Sequence, residues 1–242
     1  MEVAISRCHF IREAIPMTST LSPTPRSTVR RGKNRARTDR SELYAVLDAG
    51  LICNLAVVID GAPVVLPTAY GRIDDTLYLH GSTGALSLRT GATTEVSVSV
   101  TVVDGVVYAR SVFHFSMNYR SAVVHGSPRL VTDSAERTAG LRAVVEHLAP
   151  GSWEHAREPD AKESAATAVL ALDLAEAAVK IRSGDPVDEP TDVDTGGRWA
   201  GVLPVEQSWG EPVPAADLDG TNLPPHVAQR AFTTIGRADP TG

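Results

Sequence analysis

Two short segments hold the side chains best suited to gripping a polar ligand. The first, Phe113-His114-Phe115-Ser116-Met117-Asn118-Tyr119-Arg120-Ser121, crowds aromatic, amide, cationic and hydroxyl groups together. A strand needs no such mixture to hold a core, whereas a site for a planar, anionic ligand could use all of it. In an extended chain Tyr119 and Ser121 point to one face, Asn118 and Arg120 to the other. Arg120 then either pairs with a surface carboxylate or, if buried or interfacial, offers its planar fork to an anion. The second segment, His80-Gly81-Ser82-Thr83-Gly84, joins an expected strand to a short expected helix. Free N–H groups at such a turn, beside small residues, favour an anion such as phosphate. Gly-Ser turns are also very often only turns. No Gly-Lys-Ser/Thr follows, so the segment is not a Walker loop, and it is not a dinucleotide fingerprint.

Other chemistries find little support. No Gly-x-Ser-x-Gly elbow presents a nucleophile. A lone histidine at a strand end, as at His80, is more often structural than catalytic. Asp74 and Asp75 fall in a turn and are expected to be solvated. Cys8 and Cys53 show no zinc spacing with histidine, and Cys53 reads as a small buried hydrophobe. No metal site is expected. A net charge of -6 over 242 residues argues against a general nucleic-acid binder. No apolar run approaches the roughly 18 residues of a spanning helix. Residues 1–16 lack the apolar core of a secretory signal, so a cytoplasmic location is expected and Met17 is the expected start of translation.

The elements that must position these groups are mostly strands. A helix is expected over 40–49, started by Asp39 or Ser41 and stopped by Gly50. Leu51 to Ile59 is a continuous apolar run, as in a strand covered on both faces. Val64 to Tyr70 is a second strand, and Pro67 marks it as an edge or a bulge. Thr76 to His80 is a third strand, and Ala85 to Arg89 a short helix. Val96, Val98 and Val100 alternate with Ser97, Ser99 and Thr101. Asp104-Gly105 is a two-residue hairpin signal leading to Val106–Arg110. Tyr119 to Val131 reads as a long strand, and Asp133 caps a helix over 134–148. Ala165 to Ile181 suits either a helix or a final strand. Residues 1–38 read as a flexible leader ending in a basic arm, solvated or laid on a second subunit. Residues 39–184 form the strand-rich domain. Residues 185–242 form an extended tail, pinned by Trp199, Leu203 and Trp209. The whole is mainly β: a small antiparallel barrel with appended helices.

Tyr78-Leu79-His80-Gly81-Ser82, some forty residues before Ser116-Met117-Asn118-Tyr119-Arg120-Ser121, resembles the pyridoxamine 5'-phosphate oxidase-like family. The nearest likeness is to its flavin-nucleotide-binding branch, which includes 5-nitroimidazole reductases. Val64-Val65-Leu66-Pro67-Thr68, Pro150-Gly151-Ser152-Trp153, Val179-Lys180-Ile181-Arg182 and Trp199-Ala200-Gly201-Val202-Leu203-Pro204 extend the likeness from about Arg30 to Pro225. The resemblance implies an antiparallel six-stranded FMN-binding split β-barrel, a homodimer with FMN between its subunits. It implies Pro67 and Thr68 along the flavin edge, and Leu79, His80, Gly81 and Ser82 beside the ring and ribityl-phosphate. His80 is the candidate catalytic residue. Asn118, Tyr119, Arg120 and Ser121 match the segment that holds an Arg-Gln pair in the oxidases. Lys180 and Arg182 close the site from the C-terminal side. The phosphate-holding cation usual near the mid-chain helix is replaced by Ala85 and Leu86, leaving Arg89 as the nearest cation. The implied activity is an FMN-dependent oxidoreductase that passes electrons from a reduced nicotinamide to a small electrophile such as a nitroaromatic. The alternatives are a non-catalytic flavin binder and a haem-handling split barrel.

Overall fold

A computed structural model of the chain describes residues 19–21, 23–218 and 222–235. The expectations for Cys8 and for residues 1–16 and Met17 lie outside the described residues. In chain order the elements are β1 (Ala36–Arg37), α1 (Arg40–Ala49), β2 (Cys53–Ile59), β3 (Ala62–Thr68), β4 (Tyr70–Ile73), β5 (Thr76–Ser82) and α2 (Leu86–Gly91). They continue as β6 (Val96–Tyr108), β7 (Ser116–Gly126), β8 (Arg129–Leu130), α3 (Ser134–Leu148), α4 (Ala161–Ala166), β9 (Thr167–Asp173) and β10 (Glu176–Arg182). Last come α5 (Pro190–Thr195), β11 (Gly201–Pro204) and α6 (Pro225–Arg230).

The strands form two sheets that do not close on each other, a split barrel. The larger runs β1-β10-β7-β6-β2-β3, with β11 also on β6; the smaller runs β4-β5-β9-β8. Only Ala69 separates β3 from β4, so the chain leaves one sheet and enters the other there. One core fills the space between them, from Leu55, Val57, Val98, Val100, Val124 and Val179 on one side to Leu77, Leu79, Leu170 and Leu172 on the other. α1 plugs this core with Leu43, Val46 and Leu47. Its start is the expected one: the Asp39 carboxylate accepts from the Ser41 N–H at 2.9 Å. The Tyr70 hydroxyl donates to the carbonyls of Leu47 and Gly50, tying α1 to β4. α3 covers the outer face of the smaller sheet, over Tyr78, Val169 and Ala171.

Several expectations are corrected. The Leu51–Ile59 run is covered on one face only: Cys53, Leu55 and Val57 are buried, while Asn54 and Val58 are exposed. Asp104-Gly105 is not a hairpin. β6 runs through it, with a bulge between Val103 and Gly105, because β11 and the Val205 N–H pair along the same stretch. The chain reverses later, through a 3-10 turn at Val112–His114, so Phe113 to Phe115 are not strand. The strand after them ends at Gly126 rather than Val131. Ala165–Ile181 is mostly two strands in different sheets, β9 on β5 and β10 on β7, joined where the Asp173 carboxylate accepts from the Ala175 N–H at 2.6 Å.

Residues 23–38 are docked on this chain's own barrel. Arg26 bridges Glu95 and Glu176, each at 2.7 Å. That pair holds the Glu176 carboxyl down to about 2, together with the Thr24 hydroxyl. Leu21 sits in the core. The tail is held by the β11 ladder, in which Leu203 pairs with Val106, by Trp199 edge-on to the Tyr108 ring at 5.7 Å, and by the Arg110–Asp188 ion pair at 2.7 Å, and Trp209 lies under the Arg230 guanidinium at 3.9 Å.

Candidate functional site

The edge of β5 opens where the sheets part. β9 pairs with β5 as far as Ser82, but β4 stops opposite Leu79. His80, Gly81 and Ser82 therefore have no strand on the β4 side, and the Tyr70–Leu79 register carries Thr68 and Pro67 to the same end. The His80 Nδ1 is buried and has no hydrogen-bond partner. Burial lowers its pKa below the ordinary value, so the imidazole is neutral at pH 7. A buried polar atom without a partner is costly, and a ligand's polar edge would satisfy it. Leu79 is fully buried and has only its backbone to offer.

The turn that follows does not cradle an anion with its backbone. The N–H groups of Thr83, Gly84 and Ala85 already donate, to Ala166 O, Ser82 Oγ and Ser82 O. The missing Cβ of Gly81 makes room for Leu88, whose Cδ1 lies 2.6 Å from where that Cβ would stand. What remains for a phosphate is Arg89. It is exposed and lines a cavity of about 570 Å³ with Thr83, Thr90 and Thr93.

The faces of the larger sheet divide the second segment as the alternation requires. Thr101 pairs with Ser121 and Ser121 with Lys180, while Asn54 pairs with both Ser99 and Pro67. Pro67, Tyr119, Ser121 and Lys180 thus share the outer face, where Tyr119 and Ser121 line an open depression with Met117 and Phe115. Asn118 and Arg120 point inward, into a cavity of about 360 Å³ that Arg182 also lines. Arg120 is two-pronged onto Asp104, with Nη2–Oδ1 at 2.8 Å and Nε–Oδ2 at 3.1 Å. The Arg182 guanidinium donates to the Asn118 Oδ1. That cavity shares no lining residue with the one at Arg89, so within one chain the candidate residues form three groups. Asp104 was not legible as a site residue, since only the β6 bulge turns it toward Arg120. Cys53 is fully buried, its thiol pushed up to about 12, and takes no part. Among the described residues no group of histidine, cysteine or acidic side chains could hold a metal ion. No helix among them is long and apolar enough to cross a membrane.

This is a two-sheet split barrel with an unsatisfied imidazole at its open edge, and comparison with known proteins agrees on the fold. Residues 39–181 match the model of the pyridoxamine 5'-phosphate oxidase family. The flavocytochrome Anf3 from Azotobacter vinelandii is 34% identical, over 88% of this chain and 100% of that one, with a TM-score of 0.82. The FAD and haem binding protein from Mycobacterium smegmatis is 39% identical, over 82% and 98% of the two chains, with a TM-score of 0.78. A candidate 5-nitroimidazole antibiotic resistance protein from Bacteroides thetaiotaomicron is 18% identical over 60% and 86%, with a TM-score of 0.52, a likeness of fold. Curated proteins gave no match. The chain belongs to the pyridoxamine 5'-phosphate oxidase-like family of flavin-binding split barrels.

Proposed function

We propose that this chain is a flavin-dependent redox protein that also holds a haem. The observation that carries the reading is its likeness, along more than four-fifths of its length, to a flavocytochrome and to an FAD and haem binding protein. FAD, rather than the FMN implied by the sequence motifs, is the flavin proposed, after the second of these.

The residues fit a flavin. The unpartnered His80 Nδ1 and the open strand edge at Gly81 and Ser82 face its polar rim. Pro67, Thr68, Tyr119, Ser121 and Lys180 border its plane, and Arg89 takes a phosphate through a charge-assisted pair. They also fit a haem. Val112, Phe113, Phe115, Met117 and Trp199 form an exposed apolar patch around His114 at the turn between β6 and β7. His114 and Met117 there would hold the iron, which accepts imidazole and thioether ligands. The cofactors supply electron transfer; the chain binds them and excludes water. The outer face of the larger sheet, with Val58 and Val65 more than half exposed, is proposed to be covered by a second copy of the chain.

The test is the absorption spectrum of the purified protein, followed by chromatography of the released flavin. Flavin bands together with a Soret band are expected, and the released nucleotide is expected to be FAD. His114→Ala is expected to lose the Soret band and keep the flavin. A protein that takes up neither added flavin nor added haem would sink the proposal.

A further inference from the structure

The cavity behind β7 asks for an occupant of its own. Its polar wall is Asn118, Arg120 and Arg182, and its apolar wall is Val102, Ile181 and Val205. The Arg120 charge is met by Asp104. Arg182 has no carboxylate partner among the described residues. Its guanidinium donates to the Asn118 Oδ1 and to the carbonyls of Gly184, at 3.3 Å, and Asp185, at 3.2 Å, all of them neutral. Yet Arg182 is only 8% exposed, and so is Asn118. A guanidinium stays charged in a protein, and neutral oxygens offset only part of the cost of taking that charge out of water. Burial disfavours the Arg182 charge, and the neighbouring Arg35 disfavours it further. The second lining carboxylate, Glu206, belongs to an exposed residue of the tail.

We infer that this cavity binds a small monoanionic organic carboxylate, its head against Arg182 and its apolar body along Val102, Ile181 and Val205. A guanidinium fork matches a carboxylate in shape and charge. One buried cation whose hydrogen bonds go only to neutral oxygens suits a single negative charge on an apolar body better than a phosphate dianion. Ligand sites commonly have this make-up, a mainly apolar cleft with a few convergent polar groups. The site lies on the opposite face of β7 from Tyr119 and Ser121, so it is distinct from the proposed flavin position and does not rest on it.

The probe is 4-fluorobenzoate, followed by fluorine NMR with the protein as purified. Saturable line broadening is expected with the native chain. Arg182→Met is expected to weaken it by about tenfold or more, the worth of one charge-assisted hydrogen bond. Because Arg182→Met also removes contacts to the 184–185 turn, Gln207→Trp is the second variant. Gln207 is exposed and lines the cavity, so an indole there fills the space without touching the Arg182 hydrogen bonds, and binding is expected to vanish with unfolding temperature unchanged. No saturable broadening with the native chain, or undiminished binding by Gln207→Trp, would overturn the assignment. So would displacement of the probe by FMN or FAD, which would place it in the flavin site. Displacement by equal concentrations of inorganic phosphate would overturn the carboxylate class.

Discussion

His80 is half-buried, with its Nδ1 fully enclosed, and the cost of charging it there has a measurable sign. Its folded pKa lies below the ordinary 6.5, as does that of His147, whose Nε2 lies 2.6 Å from the Gly50 carbonyl oxygen. As pH falls through about 6.5, the unfolded chain gains protons at these positions before the folded chain does. Stability contributed by the neutral rings is therefore present above that value and is lost as pH drops toward the folded pKa. Glu176 and Glu163, held at about 2, act elsewhere: their contribution is present above 4.5 and is lost only below it. Urea unfolding at about pH 7.5 and about pH 5.5 isolates the histidine effect. The native chain is expected to lose stability between the two, and His80→Leu to lose less of it. An equal loss in both would remove His80 as a source. At this scale the sequence was partly legible. Strand periodicity alone sorted Tyr119 and Ser121 from Asn118 and Arg120, as the registers show. The partners Asp104 and Gly184 were not legible, because a bulge and a turn bring them in.

Among the elements, the contact of α3 with β4 is the least forgiving. A Cβ on Gly71 would stand 2.3 Å from the Ala143 carbonyl carbon and 2.4 Å from the Val144 nitrogen. Both are helix backbone and cannot step aside. Overpacking in a core costs about 1–3 kcal/mol and occasionally more; with backbone as the obstacle, Gly71→Ala is expected to cost about 3 kcal/mol or more. For a chain of this length that lowers the unfolding temperature by about 6–12 °C, read by calorimetry. A shift within about 2 °C would show that α3 can move. Elements with a distinct local signal were legible: α1 and α3 from their aspartate caps, and β3 as an edge from Pro67. The Ala165–Ile181 stretch was not, since alanine and leucine favour helix locally and only the pairing of β9 with β5 and of β10 with β7 makes it strand. Asp104-Gly105 misled for the same reason: a tertiary partner, β11, keeps β6 extended through it.

At the scale of the whole molecule, the ordered motifs marked the family where composition could not, because the same short turns and strands recur in many barrels. The motifs did not reveal that the basic arm folds back on its own barrel. Arg26 reaches Glu95 and Glu176, which lie 69 and 150 residues away. The proposed second copy belongs to this scale too. Light scattering after gel filtration is expected to give twice the chain mass. Val65→Glu, a charge on an outer-face position that is 61% exposed in one chain, is expected to shift it toward the single chain. A native protein that elutes with the mass of one chain would end the proposal.

The prolines of β3 have one more consequence. Pro63 pairs with Val58 and Pro67 with Asn54, four residues apart on one strand. Neither can donate to β2, so both stand at the pairs where the backbone N–H would point away from the sheet. Of the three outward positions 63, 65 and 67, only Val65 keeps a donor. An apolar border strand with a full row of donors is a template on which further chains can stack without limit. This one has most of its teeth removed. The rim of the face on which a second copy is proposed to sit is thereby a poor template for any added strand, so the proposed association would stop at one face and not run on into fibres.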